Sequence, residues 1–322
     1  MRLSIVTVNT NEWHVLEKCL TSVFDETRNI EFETIVVDNA SNDGSRDLIR
    51  LKFPQVKVIS TASNLGFAAA NNCGIRRARG KYVLLLNPDT EIHGGAINRC
   101  LEYMDQRTSV GLLGCKLILP GGKIQESVRS FPTVWNVFCE STFLYLLFPK
   151  NEWIAKYHMT FFDYESNRVV DWVCGAFLLI RREVIEKIGL LDEQFYMYTE
   201  EVDYCYRAKR AGYLTCFFPT ASVYHFWGGM NAANLRVILW TSGSQILFFK
   251  KHFDGFERLA LIALKFGGIA LRVFVYFIGG LVLRKASLLQ KSKYAAVTFF
   301  RLLTGEWSYV RGYTGPVSPW KA

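Results

Sequence analysis

The chain has 322 residues, of which 50% are hydrophobic and 15% aromatic, and this composition excludes a disordered or low-complexity protein. A chain of this length can bury a sizeable core as one large α/β domain with an appendage. The net charge of +9 is uneven, because residues 250–301 carry ten Lys or Arg against two acids and leave about +1 for the remainder. A basic excess confined to an apolar C-terminal segment argues against nucleic-acid binding and favours an anionic membrane surface.

The eight cysteines are scattered, without a CxxC pair or a spacing typical of disulfides. Residues 1–10 are typical of a β-strand and lack a basic segment followed by an apolar one, so we expect no signal peptide. Both features predict free thiols in a reducing compartment, which is the cytoplasm.

The first part of the chain alternates short apolar runs with amphipathic segments, the pattern of parallel βαβ units. Predicted strands and helices lie, in chain order, at 3–8, 13–24, 34–37, 45–53, 56–60, 67–77 and 82–86. Polar clusters follow the strands directly, at Asn9, Asp38 and Asn87-Pro88-Asp89. Because ligands collect at the carboxyl ends of parallel strands, these clusters predict a nucleotide site.

The remainder of the chain is less regular, and its residues 131–150 are left unassigned. The elements predicted there are a hairpin around 117–126, a strand at 172–180, helices at 182–188 and 200–211, and a strand at 223–225. Long apolar and basic helices follow. We therefore predict a catalytic domain at 1–230, with a donor half to about residue 115 and an acceptor half beyond it. A separate helical segment is predicted at 231–322.

Asp38 and Asp89 are candidate ligands of a nucleotide. A carboxylate at the position of Asp38 can accept hydrogen bonds from ribose hydroxyls or a pyrimidine N–H, and Thr7 and Asn9 end the first strand beside it. Asp89 could bind Mg²⁺ or Mn²⁺ bridging two phosphates. The alternative is that 38–44 and 87–89 are only polar turns.

Three carboxylates crowd one turn at Glu200, Glu201 and Asp203. Such crowding raises a carboxylate pKa, which suits a general base. The alternatives are that these acids stabilise a helix N-terminus and that Asp203 pairs with Arg207 at i+4. His225, among aromatic residues, is either structural or a metal ligand together with Asp89.

In this order the motifs resemble family 2 of the glycosyltransferases, which have the GT-A fold and invert the anomeric centre, and most closely the rhamnosyltransferase-like branch. The match covers about residues 3–228. The segments that carry it are 36–45 (VVDNASNDGS), 64–72 (NLGFAAANN), 85–89 (LLNPD), 174–182 (CGAFLLIRR), 195–207 (FYMYTEEVDYCYR) and His225.

The resemblance implies roles for individual residues. Glu201 is the implied catalytic base, the implied metal ligands are Asp89 and His225, and the cation is Mg²⁺ or Mn²⁺. The implied donor side comprises Thr7, Asn9, Asp38, Asn64, Gly66, Asn87 and Asp89, and the acceptor side Trp172, Gly175, Ala176, Glu200 and Asp203. Two positions depart from the family pattern: Asn87 replaces the first acid of its DxD motif, and the base is Glu rather than Asp.

The implied reaction transfers a sugar, with rhamnose as a candidate, from a dTDP- or UDP-sugar to a hydroxyl of a lipid-linked saccharide in cell-surface polysaccharide synthesis. A sugar-phosphate nucleotidyltransferase is a weaker alternative, because residues 9–13 lack the glycine and lysine that its phosphate loop requires. An inactive membrane-bound scaffold of the same fold is a third interpretation. The four residues Asp38, Asp89, Glu201 and His225 argue against it.

Residues 266–283 are apolar except for Arg272, and at 1.5 Å per residue they would span about 27 Å. Glycine pairs at 267–268 and 279–280 are expected to weaken this segment as one straight helix. We therefore expect helices that lie in, or re-enter, the inner face of the cell membrane, with peripheral attachment. The alternative is a helix pair buried in a homo-oligomer interface.

Overall fold

The computed structural model describes residues 1–226 and 234–305, so the predicted boundary near residue 230 and residues 306–322 of the predicted helical segment lie outside the described residues. The strands are β1 (Leu3–Asn9), β2 (Phe32–Asp38), β3 (Lys57–Ser60), β4 (Tyr82–Leu86), β5 (Thr90–Ile92), β6 (Val110–Ile118), β7 (Val128–Arg129), β8 (Arg168–Val170), β9 (Trp172–Val173), β10 (Phe177–Arg181) and β11 (Leu214–His225). The helices are α1 (Trp13–Glu26), α2 (Ser45–Lys52), α3 (Phe67–Ile75), α4 (Ala96–Asp105), α5 (Val134–Ser141), α6 (Leu144–Leu147), α7 (Arg182–Ile188), α8 (Glu200–Arg210), α9 (Leu235–His252), α10 (Gly255–Val282) and α11 (Ala286–Thr304).

A nine-stranded sheet forms the centre, in the order β3-β2-β1-β4-β10-β6-β11-β5, with β8 also paired to β11. Neighbours among the first four strands are parallel, β10 runs antiparallel to β4 and β6, and β6 is parallel to β11. The mostly parallel α/β sheet predicted from the sequence is therefore confirmed.

Both faces of the central strands are buried. Along β4, Val83 and Leu85 join the hydrophobic cluster on one face, whereas Leu84 and Leu86 join the cluster on the other. Alternate side chains of a strand point to opposite faces, so a strand covered on both sides consists of apolar residues throughout. This is why the sequence of β4 predicts its bounds correctly.

The predicted strand at 172–180 is wrong, because β9 and β10 belong to different sheets. β9 pairs with β7, and the backbone N–H of Cys174 donates to Ser127 O at 2.8 Å. The chain then turns into the main sheet, where Asn87 N donates to Ala176 O at 3.0 Å. A continuous apolar run hides this change of partner, since hydrophobic periodicity does not report which strand is paired.

The glycine pairs at 267–268 and 279–280 do not interrupt a helix, contrary to the expectation from the sequence. α10 is one helix of 28 residues, about 42 Å long at 1.5 Å per residue. A Cβ added to Gly268 would lie 2.6 Å from Ser141 Oγ, and one added to Gly280 would lie 2.7 Å from Leu289 Cδ2. These glycines thus allow close contact of α10 with α5 and α11, which offsets their low helix propensity. Among the described residues α10 alone is long and apolar enough to cross a membrane, and 22% of its most apolar window is buried.

The first testable consequence concerns Gly66, at the start of α3. Its backbone (φ 82, ψ 179) is almost that of Gly189 (φ 80, ψ −163). A Cβ on Gly66 would lie 2.4 Å from the backbone oxygen of Tyr196, whereas one on Gly189 would meet no atom within 4 Å. We expect Gly66→Ala to lower the free energy of unfolding by about 1–3 kcal/mol more than Gly189→Ala, because only the former adds overpacking to the cost of positive φ. Urea unfolding of both variants measures the difference, and equal losses would contradict the contact.

Candidate active site

The carboxyl ends of β1 and β2 lie side by side, with Asn9 directly opposite Asp38. Asn9 Nδ2 donates to Ser45 Oγ at 2.8 Å and to Ser41 Oγ at 3.0 Å, so this side chain holds the turn that follows β2. Its bond to Asp38 Oδ1 is long, 3.4 Å, which leaves most of the carboxylate's capacity open to a ligand. Thr7 is buried, and no partner for its Oγ1 occurs among the described residues.

Asn64 ties the donor side to the segment preceding α8. Its Oδ1 accepts hydrogen bonds from Asn39 Nδ2 at 2.8 Å, Gly66 N at 2.9 Å and Tyr196 OH at 3.1 Å. Phe67 N also donates to Tyr196 O at 2.8 Å. Because Asn64 Oδ1 already accepts three hydrogen bonds, Asn64 could contact a donor substrate only through Nδ2. Gly66 has no side chain and could contact it only through its backbone.

Asp89 and His225, predicted as metal ligands, lie next to each other. His225 Nε2 is 3.3 Å from Asp89 Oδ2, and the two residues are brought together by the pairing of β5 with β11. His225 Nδ1 lies 2.7 Å from Gln125 Oε1. Since an amide oxygen only accepts, this contact assigns the proton of a neutral ring to Nδ1 and turns the Nε2 lone pair towards the carboxylate.

Asp89 Oδ2 and the Nε2 lone pair of His225 are two acceptors that face each other, and a cation between them would be favourable. These two residues therefore fit a divalent ion whose remaining ligands come from outside the pair. Within residues 1–226 and 234–305 no group of three or more His, Cys, Asp or Glu could hold a metal by itself. Mg²⁺ commonly takes one or two carboxylates and completes its shell with substrate phosphates and water. Asp89 and His225 are therefore suited to a cation that arrives with a diphosphate.

The acidic turn begins α8, as the sequence predicts. Tyr198 and Thr199 precede it with φ of 66 and 72, conformations that cost free energy in residues other than glycine. In the described part of the chain, Glu200 Oε2, Glu201 Oε2 and the Tyr198 hydroxyl have no hydrogen-bond partner. Burial raises the pKa of Glu201 to about 7, and burial together with the charge of Glu201 raises the pKa of Glu200.

Cys174 lies near both the acidic turn and the predicted metal ligands. Burial, together with the negative charges of Glu201 and Asp89, raises the pKa of this thiol to about 12. A Cβ added to the adjacent Gly175 would lie 3.9 Å from Glu201 Cβ and 3.4 Å from the Phe67 ring. Gly175 thus leaves room beside Glu201, and one region of the structure contains both Glu201 and Asp89.

Asp203, predicted on the acceptor side, has partners for both of its oxygens. Oδ2 accepts from Arg207 Nε at 2.8 Å, while Lys251 Nζ and His252 Nε2 each lie 2.7 Å from Oδ1. Burial alone would raise the pKa of Asp203, but these partners lower it to about 2. The predicted pair with Arg207 is confirmed, and the geometry of Asp203 is that of a structural ion cluster.

The remaining predicted residues are placed as follows. Trp172 Nε1 donates to Ser130 O at 3.1 Å, and the Arg129 guanidinium lies over its ring, 5.9 Å from the centroid. Ala176 is buried and connects to Asn87 through the backbone. Asn87 O accepts from Thr90 Oγ1 at 2.7 Å.

Sequence reasoning missed Glu12, Gln125 and Arg129. Burial and the charges of Asp89 and Asp43 together raise the pKa of Glu12 to about 8, so this carboxyl belongs with the predicted donor-side residues. Its position in the turn after β1 could have indicated it. Gln125 and Arg129 follow β6 in a stretch without polar periodicity, and only the fold brings them to His225 and Glu201.

Comparisons with known proteins identify the family of the chain. The sequence model of glycosyl transferase family 2 matches residues 4–189, more than half of the chain. The chain is 29% identical over 234 residues to an N-acetylglucosaminyl-diphospho-decaprenol L-rhamnosyltransferase of Mycobacterium tuberculosis, covering 69% of this chain and 75% of that protein. It is 27% identical over 169 residues to the rhamnosyltransferase WbbL of Escherichia coli K12, covering 50% of this chain and 61% of the relative.

Among solved structures, a mannosyltransferase of Pyrobaculum calidifontis in complex with GDP-Man and Mn²⁺ is similar with a TM-score of 0.58. The likeness covers 95% of this chain and 88% of that one at 15% identity, and it supports the GT-A fold alone. Together with the family match, these findings confirm the resemblance seen in the sequence. The chain belongs to glycosyltransferase family 2, in its rhamnosyltransferase-like branch, and is a glycosyltransferase.

Proposed function

We propose that the chain transfers a sugar, with rhamnose as the first candidate, from a dTDP- or UDP-sugar to a hydroxyl of a lipid-linked saccharide, with inversion at the anomeric carbon. The observation that carries the proposal is the position of Glu201, a carboxylate without a hydrogen-bond partner for Oε2, in the same region as the Asp89–His225 pair. The relative from M. tuberculosis, named for an N-acetylglucosaminyl-diphospho-decaprenol acceptor, supports a lipid-linked acceptor.

In the proposed mechanism, Asp38 accepts hydrogen bonds from the nucleoside, and Asp89 and His225 would hold a Mg²⁺ or Mn²⁺ ion. That ion would neutralise charge on the departing diphosphate. Glu201 accepts the proton of the acceptor hydroxyl, whose oxygen attacks the anomeric carbon from the face opposite the diphosphate. Single displacement inverts that carbon, and the missing side chain at Gly175 leaves space for about one methyl group beside Glu201.

The base is tested by Glu201→Gln, which we expect to lower kcat by about 10²-fold or more. Donor affinity should hardly change, since the base faces the acceptor. Because burial raises the Glu201 pKa to about 7, the wild-type kcat should rise with pH through about 7 as the carboxylate loses its proton. The measurements are kcat against pH and donor affinity by calorimetry.

Glu200→Gln is the matched control, with an expected milder effect, and Asp203→Asn should act mainly on stability through its ion cluster. If Glu200→Gln is inactive while Glu201→Gln turns over normally, the base is Glu200. Normal turnover in all three variants would remove the acidic turn from the chemistry. An inactive scaffold would release no nucleoside diphosphate from the donor when the acceptor is omitted.

The metal is tested by chelation and by direct binding. We expect EDTA to abolish transfer, Mg²⁺ or Mn²⁺ to restore it, and Asp89→Asn to lower the affinity for Mn²⁺ in the presence of nucleoside diphosphate at least tenfold. Paramagnetic resonance of Mn²⁺ reports this binding independently of activity. Glu91→Gln, at an acid of β5 two residues after Asp89, is the control and should bind Mn²⁺ as the wild type does. Full turnover in EDTA would exclude a required metal.

We further propose that the chain attaches to the inner, cytoplasmic face of the cell membrane through α10 and α11, rather than using them to form a homo-oligomer. Large apolar side chains are exposed along α10, including Phe274, Phe277 and Ile278 at 64%, 50% and 58%. They lie within the basic segment 250–301, whose charge favours anionic lipid. Exposed apolar surface flanked by cations is typical of an interfacial anchor.

The full chain should therefore bind vesicles that contain anionic lipid, and high salt should weaken the binding, because it screens the charges. Phe277→Asn with Ile278→Asn should reduce binding severalfold, since it removes apolar contact with the bilayer. Val169→Asn, at an exposed apolar residue of β8, is the control. Vesicle sedimentation measures the bound fraction. Equal binding of all variants, together with a concentration-dependent oligomer, would favour the homo-oligomer interface.

A further inference from the structure

Charged side chains are enclosed where α10 packs on α5. Glu140 Oε1 lies 4.0 Å from Lys265 Nζ and 3.7 Å from Arg272 Nη2, and the exposed fractions of these three side chains are 15%, 12% and 21%. Arg272 also donates to the backbone oxygens of Glu140 at 3.2 Å and Gly268 at 3.0 Å. The tail helix therefore contributes two cations to a nearly enclosed position.

Arg129 adds a third cation on the side of the catalytic centre. Its guanidinium contacts His158 Nδ1, and within the described ranges no carboxylate oxygen lies within 4.0 Å of it. Burial and the charge of Arg129 lower the pKa of His158 to about 3, so this ring is neutral. His158 Nε2 has no hydrogen-bond partner in the described part of the chain.

These groups form one electrostatic cluster, which we define as Arg129, Glu140, His158, Lys265 and Arg272. Burial alone would raise the Glu140 pKa, but the charges of Lys265, Arg272 and Arg129 lower it. Three cations thus face one carboxylate, and the excess of positive charge is two. Enclosing uncompensated charge is costly unless an anion joins it.

The cluster extends from β7, which carries Arg129, to α10, which carries Lys265 and Arg272. At one end Arg129 of β7 lies opposite Trp172 of β9, and its charge lowers the pKa of Glu201 against the effect of burial. At the other end Arg272 belongs to α10, which also carries the exposed side chains of Phe274, Phe277 and Ile278. Tyr145 stacks on His158 at 4.4 Å between ring centroids and covers the cluster on the α6 side.

We propose that this cluster binds the diphosphate of the lipid-linked acceptor, with the sugar directed to Glu201 and the hydrocarbon chain along the exposed face of α10. A diphosphate diester carries about two negative charges, which match the excess, and guanidinium groups recognise phosphate oxygens through paired hydrogen bonds. His158 Nε2 is a further polar contact for this group. The proposal rests on the proposed function, because it assumes a lipid-linked acceptor.

The test measures binding of farnesyl diphosphate to the full chain in detergent, by calorimetry, beside inorganic pyrophosphate. EDTA is present so that no cation at Asp89 and His225 recruits the probe. We expect the wild type to bind farnesyl diphosphate, and Lys265→Gln and Arg272→Gln to weaken it at least tenfold. Lys285→Gln and Lys293→Gln remove the same charge from exposed positions of the tail and should bind as the wild type does.

Glu140→Gln keeps the test decisive if the cation variants fold poorly, since it raises the positive excess and should tighten binding of farnesyl diphosphate several-fold. Unchanged affinity in all cluster variants would overturn the proposal. Equal affinity for pyrophosphate and farnesyl diphosphate would show that the hydrocarbon chain does not contribute to binding. The cluster would then be a site for a free anion, and the proposed lipid-linked ligand would be overturned. The KM for a polyprenyl-diphosphate-linked sugar should rise in Arg272→Gln, whereas the rate of donor hydrolysis without acceptor should not change.

Failure of this site is distinguishable from failure of the proposed function. If the wild type releases nucleoside diphosphate from the donor and Glu201→Gln impairs transfer, the function stands whatever the cluster variants show. If the wild type neither hydrolyses nor transfers, the proposed function fails. In that case binding of farnesyl diphosphate reports on the cluster alone.

Discussion

The contact between Gly66 and Tyr196 fixes the position of the acidic turn relative to the strand ends that form the donor side. The space at Gly66 is taken by the backbone of Tyr196, and Asn64 accepts a hydrogen bond from the Tyr196 hydroxyl at 3.1 Å. Two residues after Tyr196 the chain enters the strained pair Tyr198-Thr199 and then α8. The distance from Asp89 to Glu201 therefore depends on a close approach that tolerates no side chain at Gly66.

The strain at this turn has a physical consequence for the carboxylates. Burying Glu200 and Glu201 without partners for their Oε2 atoms is unfavourable, and the raised pKa of each shows that the protein stabilises the protonated form. The ionised form of such a group has a lower free energy in water than in low-dielectric surroundings, so burying it opposes folding. The tight backbone and packing around the turn hold it in place, and this arrangement is typical of functional sites.

The sequence could predict the strands and the polar residues at their carboxyl ends, because both leave local signals in the sequence. β4 matches its predicted bounds, and α8 begins at Glu200 as expected. It could not predict that Gln125 orients His225 or that Arg129 approaches Glu201. Both interactions, a hydrogen bond in the first case and a charge effect on a pKa in the second, join positions far apart in the chain, and no periodicity records them. The continuous α10 could not be predicted for a related reason: contacts with α5 and α11 offset the cost of its glycines, and an estimate for the helix alone omits those contacts.

The three acids of one helical turn illustrate how the tail takes part in the chemistry of the site. Asp203 lies two residues after Glu201, yet its pKa is lowered to about 2 while that of Glu201 is raised to about 7. Burial acts on both in the same direction, so the difference comes from partners: Lys251 and His252 of α9, together with Arg207, surround Asp203. α9 also reaches the strained segment, because Ser244 Oγ donates to Met197 O at 3.1 Å. α9, the helix that precedes α10, thereby helps decide which carboxylate of the turn stays ionised and which can hold a proton near neutral pH.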